Sequence, residues 1–154
     1  MFFIPDSLPG APLAITEVMS SASTNLGPTR VVSRSDYWEL TNFGTNTIEL
    51  TEYRFSDSAG IEGAEREIFR DRRIGPSESI IFFQLAANVF TNAAQFHAWW
   101  GLGNLPADRQ IYGYSGYGFS SASDAVQLWK VTATETNLVD RVELPAARRG
   151  VSFT

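Results

Sequence analysis

The chain has no cysteine, so disulfides, thiolate nucleophiles and thiolate metal sites are all excluded. Its single histidine, His97, has neither a companion acid nor a second ligand beside it in the sequence. No apolar run approaches the roughly 18 residues of a membrane-spanning helix. Met1 to Ile4 is far too short for the core of a signal peptide. The chain lacks an Asn-x-Ser/Thr glycosylation acceptor and any heptad pattern. An excess of positive charge is missing too: 12 Lys and Arg face 17 Asp and Glu, a net charge of −5. A general binder of nucleic acid or of an anionic membrane needs the opposite balance.

The chain does hold enough apolar material for a core. Of its 154 residues 44% are hydrophobic and 13% aromatic, and a domain of this length buries roughly 70% of its unfolded surface. The stretch from Asp36 to Asp57 sets the pattern. Trp38 and Leu40 alternate with Tyr37, Glu39 and Thr41, as in a half-buried strand. Asn42 to Asn46 supplies turn residues. Ile48 and Leu50, then Tyr53 and Phe55, repeat the alternation. Trp38, Leu40, Ile48, Leu50 and Phe55 are the predicted core of this region.

Residues 1–12 carry three prolines and a glycine and read as an N-terminal arm or linker, with the domain at 13–154. Leu13 to Met19 is a first strand, and Val31 and Val32 extend a later one. Glu62 to Arg73 balances four acids against four arginines, a solvated face anchored by Ile68 and Phe69. Ser79 to Leu85, after the Gly75-Pro76 turn signal, is apolar on both faces and therefore needs cover beyond an opposing sheet. Asn92 to Trp100 is the one predicted helix, with Asn92 and Gln95 in a capping relation and a stop at Gly101. Its stripe of Ala93, Phe96 and Trp100 is expected to lie over Ile80 and Phe82. Ala125 to Val131 and Leu138 to Leu144 form a hairpin with its turn at Thr134 to Asn137. The chain ends inside another short strand, VSFT, as a domain cut from a longer protein would.

Seven or more short strands with frequent turns and one short α-helix point to an all-β, immunoglobulin-like β-sandwich. The ordered series ITEVM, DYWELTNFG, IELTEYRFSD, IGPSESIIFFQLA, FHAWWG, SDAVQLWK and LVDRVEL, closing on GVSFT, resembles the lamin tail domain over residues 13 to 154. The family commonly has Trp where Tyr37 and Tyr53 stand and a β-branched residue where Trp38 stands, so this core is repacked. The resemblance implies a non-catalytic interaction or surface-tethering module. With no coiled-coil rod, it implies the bacterial occurrence, within a larger exported protein at the cell surface or outside the cell. The implied partner is a protein or other cell-surface component, with no cofactor. Edge strands permit β-augmentation or weak homo-oligomers.

The aromatic span Tyr112, Tyr114, Tyr117 and Phe119, interleaved with Gly113, Gly116 and Gly118, is the candidate binding surface. Tyrosine beside glycine makes contact surfaces for proteins or sugars, and a carbohydrate-binding accessory domain is the alternative function. The competing reading has these rings closing the open end of the sandwich. Gly113 to Gly116 lacks the second glycine of a nucleophile elbow, because Tyr117 takes its place. Gly101-Leu102-Gly103 does not complete a dinucleotide fingerprint. Asp57, Glu62 and Glu65 lack the spacing of a calcium loop. Asp57, Asp124 and Asp140, beside turns, are expected to accept backbone N–H bonds. No acid–base or nucleophilic constellation is visible, so no enzyme is expected.

Overall fold

The computed structural model describes residues 12–20, 35–62, 64, 66–86, 90–101, 104–116, 118–148 and 150–154. Of the expected arm only Pro12 is among them, and Val31 and Val32 lie outside the described residues. Among the described residues nine strands form: β1 (Leu13–Met19), β2 (Tyr37–Asn42), β3 (Ile48–Glu49), β4 (Tyr53–Ser56), β5 (Arg73–Ile74), β6 (Ser79–Gln84), β7 (Gln110–Tyr114), β8 (Asp124–Val131) and β9 (Thr136–Leu144). One helix, α1 (Ala93–Trp100), and a 3₁₀ turn at Glu67–Phe69 complete the described elements.

The strands make a four-stranded sheet β1-β2-β6-β7, a three-stranded sheet β4-β8-β9 and the small pair β3-β5. The two larger sheets share one apolar core. Leu13, Ile15, Trp38, Leu40, Ile80 and Phe82 enter it from the first, and Phe55, Val126, Leu128 and Leu144 from the second. Trp38 stacks on Phe82 at 4.7 Å between ring centres and packs on Phe55 at 5.1 Å. Ile68 and Phe69 of the 3₁₀ turn are buried in the same core, as their anchoring role required. The predicted core residues Trp38, Leu40, Leu50 and Phe55 are buried, and Ile48 packs against them half-buried.

The outer face of the four-stranded sheet carries a second core. Phe96 and Trp99 of α1, with Phe90, pack on Met19, Tyr37, Ile81 and Phe83. The helix therefore covers Ile81 and Phe83, not Ile80 and Phe82, and its buried stripe is Phe96 and Trp99 with Trp100 only partly covered. The register is the reason: β2 pairs Trp38 with Phe82 and Tyr37 with Phe83, so the ring that joins Trp38 must face inward. Tyr37 is buried as well, so β2 has covered side chains on both faces where a half-buried strand was expected.

Local signals explain the boundaries. Asn92 Oδ1 accepts from Gln95 N–H, and Gln95 Oε1 reaches back to Thr91 N–H, which closes the start of α1. Gly101 ends it at φ 108°. The Gly75-Pro76 turn places Ser77 at φ 58° and closes with a Glu78 N–H to Gly75 carbonyl bond of 3.2 Å. Asn42, fully buried, donates to the carbonyls of Asn46, Ile74 and Gly75 and accepts from Gly44 N–H. The β8–β9 turn is Thr132 to Glu135, two residues earlier than expected, because the Thr132 hydroxyl accepts from the Glu135 N–H at 3.1 Å. The closing VSFT contributes a single bridge, Phe153 to Val18, rather than a full strand.

Removing the Phe96 ring should lower stability by about 3–5 kcal/mol, the range for a large buried aromatic. Urea unfolding of Phe96→Ala measures this, and a change below about 1 kcal/mol would show that the helix is not integral to the sheet.

Candidate functional site

The aromatic span occupies β7 and the segment after it, along the edge of the four-stranded sheet. β7 runs parallel to β6, with Phe82 beside Tyr112 and Gln84 beside Tyr114. Parallel neighbours need a crossover, and α1 with its flanking loops is that crossover. Alternation then divides the span. Tyr112 and Tyr114 pack on the inter-sheet core, where Tyr114 meets Phe55 at 4.9 Å, while Ile111 packs on the helix side.

Tyr114 is 2% exposed and Phe119 6%. Both rings are packed in the inter-sheet core rather than displayed at the surface. Tyr112 is half-buried, with the Arg72 guanidinium stacked 3.4 Å from its ring centre. Tyr117 lies outside the described residues. The glycines serve close approach. A Cβ on Gly113 would fall 2.5 Å from Leu85 Cδ2, and one on Gly118 would fall 2.9 Å from Asp36 Oδ2. Gly116 sits at φ 138°. Sequence spacing alone could not separate glycine used for flexibility from glycine used for packing.

Beside the span lies a shallow cleft of about 300 Å³, lined by Glu67, Ile68, Arg72, Gly113, Tyr114 and Ser115 among others. Arg72 is already engaged there: its Nε donates to the Ile68 carbonyl at 2.7 Å, and its guanidinium covers Tyr112. Glu67 pairs with Arg66 and Arg70, all three exposed, as the solvated-face reading of this segment required.

The carboxylates have clear assignments. Asp140, 1% exposed, accepts from Ile15 N–H at 2.7 Å and Arg141 N–H at 2.8 Å. Burial pushes its pKa up against those two bonds. Asp124 accepts from Ser120, Ala125 and Ser58 N–H groups. Partial burial raises it, but the combined hydrogen bonds outweigh that and hold it below the ordinary carboxylate value. Asp57 accepts from Ala59 N–H within its own turn. These are the backbone contacts expected of Asp57, Asp124 and Asp140. Asp36, which sequence reasoning passed over, is 6% exposed and accepts from Phe119 N–H. Burial is the main cause that pushes it up to about 7. The signal available was its position directly before the most apolar strand of the opening stretch.

Among the described residues no group of three or more His, Asp or Glu is placed to hold a metal ion. Glu65 is outside them. His97 is half-exposed on α1, and its carbonyl accepts the Gly101 N–H that caps the helix. No helix among the described residues is long and apolar enough to cross a membrane.

The Tyr114 hydroxyl is buried and has no hydrogen-bond partner among the described residues. Tyr114→Phe should therefore leave stability within about 1 kcal/mol of the parent or raise it, while Tyr114→Ala should cost about 3–5 kcal/mol. Chemical denaturation checks both, and a large loss in Tyr114→Phe would mean that the hydroxyl has a structural partner.

Compared with family models, curated proteins and solved structures, the chain matches none.

Proposed function

We propose that this chain is a non-catalytic, immunoglobulin-like domain of the lamin tail kind, which tethers or docks a larger exported bacterial protein at the cell surface. The observation that supports its non-catalytic part is how its acids are engaged. The buried Asp36 and Asp140 and the half-buried Asp124 each accept a backbone N–H group from a distant segment, so their oxygens are engaged in holding the chain together. Reaction chemistry needs a positioned base next to a nucleophile or an acid of complementary pKa.

Two sheets burying one cluster support the immunoglobulin-like reading, as does the order of motifs that resembles the family. The helix follows the most apolar strand in that order, and the closing segment returns to β1 through Phe153. The carbohydrate-binding alternative draws less support, because Tyr114 and Phe119 of its four rings are in the core.

Tethering is tested with fluorescently labelled protein on intact cells of the source organism. The label should remain after washing and be removed by surface proteolysis. Retention no greater than that of an unrelated domain of equal size and charge would overturn the reading.

A further inference from the structure

We propose that Asp36 is a proton-controlled latch: in its neutral form it holds Gly118 and Phe119 against the end of the four-stranded sheet, and its ionisation releases them. Asp36 stands where three strand ends meet. Its carbonyl accepts the Gln84 N–H at 2.8 Å, just past the pairing of Tyr37 with Phe83, and its Oδ2 accepts the N–H of Phe119, 83 residues downstream. Gln84 Nε2 donates to the Gly116 carbonyl at 2.9 Å and holds the same segment a second time. The fit at Gly118 is close, since a Cβ there would meet Asp36 Oδ2 at 2.9 Å and the Gln84 amide at 3.1 Å. The docked segment seats the Phe119 ring in the inter-sheet core.

The surroundings of this carboxyl favour its neutral form. A buried carboxylate is tolerated when cations or several N–H donors compensate it. Burial is the largest influence on Asp36 and disfavours its charge; among the described residues one donor, Phe119 N–H, opposes this by favouring the ionised form, and it is outweighed. The groups that bear on it electrostatically are the Asp124 carboxylate at the start of β8 and the Tyr114 phenol on β7. The first repels a second negative charge. The second is itself pushed up, by burial first and then by Asp36. Asp124, on the same end of the molecule, shows the contrast: three N–H donors let it stay ionised.

The sign follows by linkage. Docked Asp36 titrates near 7, whereas a hydrated, undocked Asp36 titrates near about 3.9. Between those values the docked form binds more protons, so docking weakens as pH rises, by up to about tenfold per unit, and levels off above the upper value. Release uncovers the Phe119 ring, which becomes available for contact only once Asp36 is charged.

Amide hydrogen exchange of the full chain at pH 5 and pH 8, corrected for the base-catalysed intrinsic rate, tests this. Protection of the Phe119 amide should fall by about tenfold to hundredfold across that range. Leu128, fully buried in β8, should keep its protection. Asp36→Asn retains an acceptor for Phe119 N–H and cannot titrate, so its Phe119 protection should not change with pH. Constant protection in the parent, an equal fall at Leu128 that marks global unfolding, or an unaltered fall in Asp36→Asn would each overturn the latch. The parent alone provides an independent readout: a carboxyl ¹³C titration of Asp36 with a midpoint near 4 would also overturn it.

Discussion

Everything in this fold adapts to a strand with no wet face. Ser79 to Gln84 carries Ile80 and Phe82 on one side and Ile81 and Phe83 on the other, all buried. An antiparallel sheet packed on a single partner leaves one side in water, so β6 demands a second layer. The chain meets that demand immediately downstream. Phe90, Phe96 and Trp99 form an aromatic cover over Phe83, with Phe83 and Phe96 stacked at 5.0 Å. An eight-residue helix is unstable alone in water, so the dependence is mutual. Returning from that cover, the chain runs beside β6 in the same direction. This makes the β6–β7 pair parallel, where the other strand pairs among the described residues are antiparallel.

Much of this was legible from residue order. The strands, the helix with its Asn92 start and Gly101 stop, the need for cover over β6 and the core residues of the opening stretch all follow from periodicity and turn chemistry. The choice between the two faces of β6 did not. Ile80 and Phe82 match Ile81 and Phe83 in bulk, so only the long-range register with Trp38 decides which pair faces inward. β5 and β7 also escaped notice. Two residues are too few for a pattern in β5, and in β7 a glycine holds the position where an alternating apolar residue would have signalled a strand. That glycine exists because Leu85 and Phe83 occupy the space a side chain would need.

The candidate surface shows the same limit. Tyrosines spaced by glycines have the composition of a recognition loop, and composition does not specify which side of a sheet a ring will take. Once β7 pairs with β6, alternation sends Tyr112 and Tyr114 toward the shared core. Phe119 follows because Asp36 takes its N–H. The expectation that turn-side aspartates accept backbone donors rests on their local bonds, from Ala59 to Asp57, Ala125 to Asp124 and Arg141 to Asp140, which a short carboxylate beside a turn can reach whatever the tertiary context; the long-range donors were not legible.

In a chain without cysteine these carboxylates act as its long-range ties. Asp140 joins β9 to β1 across 125 residues, and Asp124 joins the start of β8 to the turn after β4 across 66. Burial pushes each of them up and the N–H donors oppose it, so the balance of the two sets their character. Three N–H groups hold Asp124 ionised, so that tie is constant over the neutral range. One N–H group leaves Asp36 dependent on its own proton. Asp140, with two donors and nearly complete burial, lies between them and is also raised. It ties β1 at Ile15, near the bulge where pairing with β2 slips between Ile15 and Glu17, and satisfies an edge N–H that would otherwise be open. The edge of β1 is thus protected by a side chain and by the Phe153 bridge. At the other side of the sheet the segment after β7 is held to β2 and β6, by Asp36 and by Gln84, so one of its two ties carries a titratable group.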